Sequence, residues 1–140
     1  MKISSVIIGT VLACVAASSA VAQGSPTNPD ADDWVSIAVS PQNAMAAYGA
    51  AGSRDRAIQI AMDECNQRSN GTRCVTAKTT EYGCVGFALD KASLSWAGGS
   101  GPDKGAAAQD AVNRLSASGY SYNDSTGVAG ATCSSPVTPP

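Results

Sequence analysis

Two stretches of the chain alternate hydrophobic and polar positions, a pattern typical of β-strands. In the first stretch the large apolar side chains stand at every second position: Val35, Ile37 and Val39. In the second stretch, 50 positions further on, they are Val85, Phe87 and Leu89. Serine, alanine and glycine fill most of the positions between them. Each stretch therefore predicts a strand with one apolar face.

Each of these strands is followed by a turn, a return strand and an amphipathic helix. The turns are predicted at 41–43 and 90–92, and the return strands at 44–49 and 94–98. Ser53 and Asp103 are suited to cap the N-termini of the two helices. The apolar residues of the helices recur at helical spacing. They are Ala57, Ile58, Ala61, Met62 and Cys65 in the first helix, and Ala107, Ala108, Ala111, Val112 and Leu115 in the second.

A further strand is predicted after each helix, at 74–80 and at 128–133. Sliding the sequence by 50 positions superimposes the two patterns, which predicts an internal repeat of strand, strand, helix and strand. The repeat units are 34–80 and 84–133, and a polar segment at 116–130 is where they diverge. The predicted fold is a single α+β domain over 34–133, with one antiparallel sheet and both helices on one face.

The ends of the chain differ in character from this domain. Lys2, an apolar stretch and the sequence Ala20-Val21-Ala22 predict a signal peptide at 1–22, which is cleaved to leave Gln23 first. We predict a flexible leader at 23–33 and a flexible tail at 134–140. The expected location is therefore extracellular or in the cell envelope, with no membrane span after cleavage. An alternative is lipidation of Cys14, because Val11-Leu12-Ala13-Cys14 resembles a lipobox.

Four cysteines remain after cleavage at this site: Cys65, Cys74, Cys84 and Cys133. An even number in a small exported domain indicates two disulfides. Three pairings are possible. The predicted elements favour Cys65 with Cys74 as a local bridge between helix and strand. They favour Cys84 with Cys133 as a bridge between the outer strands of the second unit.

Composition narrows the candidate chemistry. The chain has no histidine, which excludes histidine-dependent nucleophile systems and histidine zinc sites. Its net charge is −2, so the chain has no excess of basic residues of the kind that nucleic-acid-binding proteins carry. The glycine-rich stretch 98–101 matches no phosphate-binding motif, and the cysteines contain no C-x-x-C pair. We therefore predict no catalytic residue, no cofactor and no metal.

Three functional hypotheses follow, of which one is the lipid-anchored envelope protein that lipidation of Cys14 would produce. The leading one is a non-enzymatic protein that binds an unknown protein partner, since aromatic side chains anchor interfaces well. The aromatic candidates for its surface are Tyr48, Trp96, Tyr120 and Tyr122. The remaining one is an extracellular hydrolase, which needs a carboxyl of raised pKa in a cleft. Its candidate carboxylates are Asp63, Glu64, Asp90 and Asp110.

Several of these segments resemble one family. The strand Gly83-Cys84-Val85-Gly86-Phe87-Ala88, the spacing of Cys65 and Cys74, and the helical segment Asp110-Ala111-Val112-Asn113-Arg114-Leu115 carry the resemblance. They are similar to the small exported actinobacterial proteins called domain of unknown function 4189, over about 34–133. The resemblance implies secretion, two disulfides and an α+β fold, and it implies no catalytic residues.

Overall fold

A computed structural model of the chain describes residues 32–123 and 126–134. Within them the chain forms six strands, two α-helices and a short 3-10 turn at Pro41–Asn43. The elements are β1 (Trp34–Ser40), β2 (Met45–Ala51), α1 (Arg54–Arg68), β3 (Val75–Glu81), β4 (Cys84–Asp90), β5 (Ser95–Gly101), α2 (Lys104–Ala117) and β6 (Gly127–Cys133). The predicted elements are thus all present, with ends that differ by a few residues.

The strands form two antiparallel sheets of three strands each. The first sheet has the order β2-β1-β3 and the second has the order β5-β4-β6. The two sheets pack face to face, α1 covers the outer side of the first sheet, and α2 covers the outer side of the second. The predicted α+β class is confirmed. The layering differs from the expected single sheet, since each helix has a sheet of its own.

The central strands explain this difference, because β1 and β4 are buried on both faces. Their large apolar side chains meet between the sheets: Val35, Ile37, Val39, Val85, Phe87 and Leu89. The small residues on the opposite face lie under the helices instead of facing solvent. Ala38 packs against α1 and Ala88 packs against α2. Small side chains at these positions therefore let each helix pack closely on the second face of the strand.

The helices lie very close to their sheets. Gly49 in β2 faces α1, and a Cβ atom built on it would overlap the carbonyl oxygen of Ala57 and the backbone nitrogen of Ala61. Both helices are capped as predicted. The hydroxyl of Ser53 accepts a hydrogen bond from the N–H of Arg56, and the carboxylate of Asp103 accepts one from the N–H of Ala106.

Both favoured disulfides are present. Cys65 near the end of α1 is bonded to Cys74, just before β3. Cys84 at the start of β4 is bonded to Cys133 at the end of β6. The first bridge ties the helix to its sheet, and the second ties two neighbouring strands.

The order strand, strand, helix, strand occurs twice along the described chain. β1, β2 and α1 begin 50 residues before β4, β5 and α2. The interpretation of this order as an internal repeat stays a prediction. In the divergent segment 116–130, α2 continues to Ala117 and β6 begins at Gly127, and residues 118–123 belong to no helix or strand.

The predicted signal peptide at 1–22, with Cys14, lies outside the described residues, as do most of the leader and the tail. Two residues assigned to these flexible ends are held in the fold. The carbonyl of Asp33 accepts a hydrogen bond from the N–H of Tyr82 at 2.9 Å. The N–H of Ser134 donates to the carbonyl of Gly83 at 2.8 Å. Both pairings extend the sheets by one step.

Candidate functional site

The four aromatic candidates occupy different surroundings. Tyr48 and Trp96 line two separate grooves, Tyr122 packs into the structure, and Tyr120 follows α2 with 44% of its surface exposed. Tyr122 lies against the cluster of Ala88, Ala111 and Leu115. A Cβ atom on Gly127 would collide with its ring, so Tyr122 covers the start of β6.

The α1–β2 groove has a volume of about 380 Å³ and is lined by Tyr48, Ile60, Asp63, Glu64, Gln67 and Arg68. Tyr48 comes from β2, and the other lining residues come from α1. The Tyr48 side chain also reaches the second sheet. A Cβ atom on Gly130 in β6 would lie 3.0 Å from its hydroxyl oxygen. Partial burial raises the pKa of Tyr48 above its ordinary value, and the nearby charge of Arg68 opposes this rise.

The rim of this groove is charged. Arg68 and Glu64 form an ion pair at 3.8 Å, and both side chains are about half exposed. Asp63 is exposed and forms no ion pair with any other described residue. Ile60 is half-buried and supplies an apolar wall. The groove therefore combines an aromatic ring, an aliphatic side chain and an excess of negative charge.

The hairpin-end groove lies where the β1–β2 and β4–β5 turns meet. It has a volume of about 300 Å³ and is lined by Pro41, Gln42, Arg73, Val75, Leu94 and Trp96. The Trp96 side chain also packs against the core between the sheets. Leu94 has a positive φ of 58°, and 45% of its surface is exposed. A positive φ is unusual for a leucine, and Leu94 also exposes much of its apolar side chain to solvent.

The sequence patterns did not single out Tyr82 and Leu94 as exposed surface residues. Tyr82 has 62% of its surface exposed and sits at a φ of 48° in the turn between β3 and β4. The charge of Asp33 is the main cause that raises the pKa of Tyr82. The one sequence signal was an aromatic residue directly before Gly83 in a turn between strands.

The four candidate carboxylates lie in three places. Asp63 and Glu64 share the α1–β2 groove. Asp90 closes the β4–β5 turn, where it accepts hydrogen bonds from the hydroxyl and N–H of Ser93 and from the N–H of Ala92. Asp110 in α2 accepts hydrogen bonds from the N–H of Ser100 at 2.9 Å and from Arg114 at 3.0 Å.

These contacts decide the acidity of two of the carboxyls. The Ser93 hydroxyl and the Ala92 N–H hold the pKa of Asp90 below its ordinary value. The Ser100 N–H, together with Arg114, holds the pKa of Asp110 below its ordinary value. A general acid of the hydrolase hypothesis needs a shift in the opposite direction. Asp90 and Asp110 instead hold a turn and the edge of a sheet.

The described part of the chain contains no cluster of metal ligands and no membrane-spanning helix. No group of three or more acidic, cysteine or histidine side chains there could hold a metal ion. No helix among residues 32–123 and 126–134 is long and apolar enough to cross a bilayer.

A model of one protein family, described as a domain of unknown function (DUF4189), matches residues 34–133. This range includes both sheets, both helices and both disulfides. No curated protein and no solved structure matches the chain.

Proposed function

This chain belongs to the DUF4189 family, and from that premise we propose that it is a secreted, disulfide-stabilised, non-enzymatic protein that acts by binding a protein partner. The observation that carries this proposal is the α1–β2 groove. It gathers an aromatic ring, an apolar wall and a carboxylate, Asp63, that has no ion pair among the described residues, which is the composition of a recognition site.

Secretion is supported by two features of the chain. The first segment has the three parts of a signal peptide, with cleavage expected after Ala22. The two disulfides favour an oxidising compartment, because thiols stay reduced in the cytosol. The proposed location is outside the cell or in the cell envelope.

The contacts of the four candidate carboxylates favour a binding role over hydrolysis. The Ser93 hydroxyl and backbone N–H groups hold Asp90 in its ionised form, and the Ser100 N–H with Arg114 does the same for Asp110. This structural use suits neither a general acid nor a proton-sharing pair. Asp63 and Glu64 are neighbours on one helix and rim an open groove. This position suits contact with a basic group of a partner.

Processing is tested by the intact mass of protein exported from cells that express the full chain. The expected species begins at Gln23 and gains the mass of four hydrogens on reduction, as two disulfides require. A species that begins at a lipid-modified Cys14 would overturn soluble secretion and establish the lipid-anchored alternative. Retention of residues 1–22 would overturn export through a cleaved signal.

Partner binding is tested by capture with cross-linking from extracellular and envelope fractions. The wild type is compared with Asp63→Lys, which reverses a charge in the groove, and with Asp55→Lys, which makes the same change in the first turn of α1. A protein held by the wild type and by Asp55→Lys, and lost with Asp63→Lys, is the expected result. No reproducible partner, or equal capture by both variants, would contradict the proposal.

A further inference from the structure

The exposed edge of β2 carries backbone groups that point away from its sheet. In β1 the backbone groups of successive residues point alternately to the two neighbouring strands. The carbonyl of Asp33 bonds to Tyr82 on the β3 side, and Val35, two residues later, faces that side too. Ala50 in β2 lies opposite Val35, so its N–H and carbonyl point outward. No described residue accepts a hydrogen bond from the Ala50 N–H.

The second sheet shows how the corresponding position is filled there. Ser100 in β5 lies opposite Val85, and its outward N–H donates to the carboxylate of Asp110 in α2 at 2.9 Å. The residue 50 positions before Asp110 is Ile60 in α1, which has no acceptor. At this position the second sheet's edge receives an acceptor from its own helix, whereas no described residue supplies one at the β2 edge, where Ile60 is apolar. The Asp110 oxygen occupies the place that a carbonyl oxygen of an added strand would take.

We propose that the α1–β2 groove binds an extended segment of a partner protein, which adds to the edge of β2 as a further strand and sets a basic residue beside Asp63 and Glu64. This proposal rests on the proposed binding function and specifies how the partner is bound. Strand addition satisfies outward backbone groups and places alternate side chains of the segment in the groove.

The contents of the groove match such a segment. A side chain that points from the added strand towards α1 meets Ile60, and the neighbouring wall is the ring of Tyr48. Arg68 is engaged by Glu64 at 3.8 Å, which leaves the charge of Asp63 uncompensated among the described residues. A lysine or arginine of the segment complements this charge, and an acidic residue is repelled.

The edge of β3, on the other side of the first sheet, is less suited to strand addition. It carries Lys78 and Glu81, and its pairing with β1 shifts register between Ile37 and Ala38. Charged residues and irregular pairing discourage the approach of another strand. The β2 edge Met45–Ala51 has no charged residue and no such shift.

The test uses an acetylated and amidated synthetic peptide, Val-Thr-Lys-Thr-Val, whose valines and lysine share one face of a strand, with a second peptide in which glutamate replaces the lysine. Amide hydrogen exchange of the oxidised protein is measured with and without each peptide. The expected result is slower exchange at the Tyr48 and Ala50 amides, with the lysine peptide binding about tenfold more tightly. Slower exchange confined to β6, or equal binding of both peptides, would overturn the proposal.

The matched variant is Ile60→Asp. It should offer the Ala50 N–H a carboxylate acceptor, as Asp110 does for the Ser100 N–H. It should close the edge and weaken the lysine peptide by about tenfold or more. The control Asp55→Asn, on the same helix but outside the groove, should bind as the wild type does. If Ile60→Asp does not fold, the exchange pattern of the wild type decides alone.

The two proposals fail in different ways. A captured partner that still binds Ile60→Asp would overturn strand addition and leave the binding function standing. Loss of that partner together with the lysine peptide would support both proposals. Failure of every peptide, combined with no reproducible captured partner, would overturn both.

Discussion

The Cα of Gly49 in β2 lies so close to the carbonyl oxygen of Ala57 in α1 that even a methyl group would not fit between them. This contact sets the distance between helix and sheet. Gly49→Ala should therefore push α1 outward and lower the free energy of unfolding by about 2 kcal/mol. Chemical denaturation of the oxidised protein measures the change.

The matched control is Gly105→Ala in the first turn of α2. Gly105 is exposed, and the nearest atom to an added Cβ is the end of the Asp103 side chain at 3.3 Å. Alanine there should be neutral or stabilise by about 0.5 kcal/mol, because glycine is a poor helix former. Equal stability changes in the two variants would show that the close contact at Gly49 has no energetic importance.

Asp110 should support the edge of the second sheet. Asp110→Ala removes the acceptor of the Ser100 N–H and the partner of Arg114, so unfolding should become easier by about 1 kcal/mol. Hydrogen exchange at the Ser100 amide should become faster. Asp63→Ala, an exposed change on α1, should leave both quantities nearly unchanged. Unaltered exchange at Ser100 would contradict this role for Asp110.

Stability at acidic pH should depend on Asp90. Hydrogen bonds in the folded state hold its pKa below the ordinary value of 3.8, so its contribution to stability is present above that value. The contribution is lost as the pH falls through the lower pKa of the folded state. Asp90→Asn should therefore flatten the acid side of the stability curve, measured by denaturation between pH 5 and pH 2. An acid limb identical to that of the wild type would refute this.

The Ser93 hydroxyl is the largest cause of the low pKa of Asp90, to which it donates at 2.7 Å. Ser93→Ala should raise the pKa of Asp90 towards its ordinary value. An NMR titration of the carboxyl measures this shift directly. A titration midpoint that does not move would assign the low pKa to the backbone donors and Thr126 instead.

The two disulfides should differ in their contributions to stability. Cys84 and Cys133 are 49 residues apart, whereas Cys65 and Cys74 are 9 apart. Because a longer loop loses more entropy when it is closed, replacing the long-range pair by serine should cost about 4 kcal/mol and replacing the local pair about 2.6 kcal/mol. Denaturation of the two double variants compares them. A larger loss from the local pair would show that core packing of Cys65 outweighs loop entropy.

Much of the local structure was predictable. The alternation around Ile37 and the caps at Ser53 and Asp103 depend on residues within a few positions of one another, and the elements they predicted are present. The layering was not predictable in the same way. Ser36 and Ala38 suit a solvated face as well as a face packed under a helix, because small side chains carry little preference.

The candidate site was predicted only in part. Tyr48 was chosen for its residue type, and it does line a groove. Ile60 was not singled out, since only its position in the groove beside β2 draws attention to it. Tyr82 and Leu94 adopt positive φ values that no local pattern indicated, because non-glycine residues rarely do so.

The sequence by itself determined the strands, the helices, their caps and the favoured cysteine pairing, because these follow from periodicity and from neighbours along the chain. Only the tertiary structure decided that two sheets pack face to face beneath separate helices. It also decided that α2 supplies an acceptor to the Ser100 N–H in β5, whereas no described residue supplies one to the Ala50 N–H in β2. Such outcomes depend on contacts between different elements, such as the hydrogen bond from the Ser100 N–H to Asp110, which periodicity along the chain does not specify.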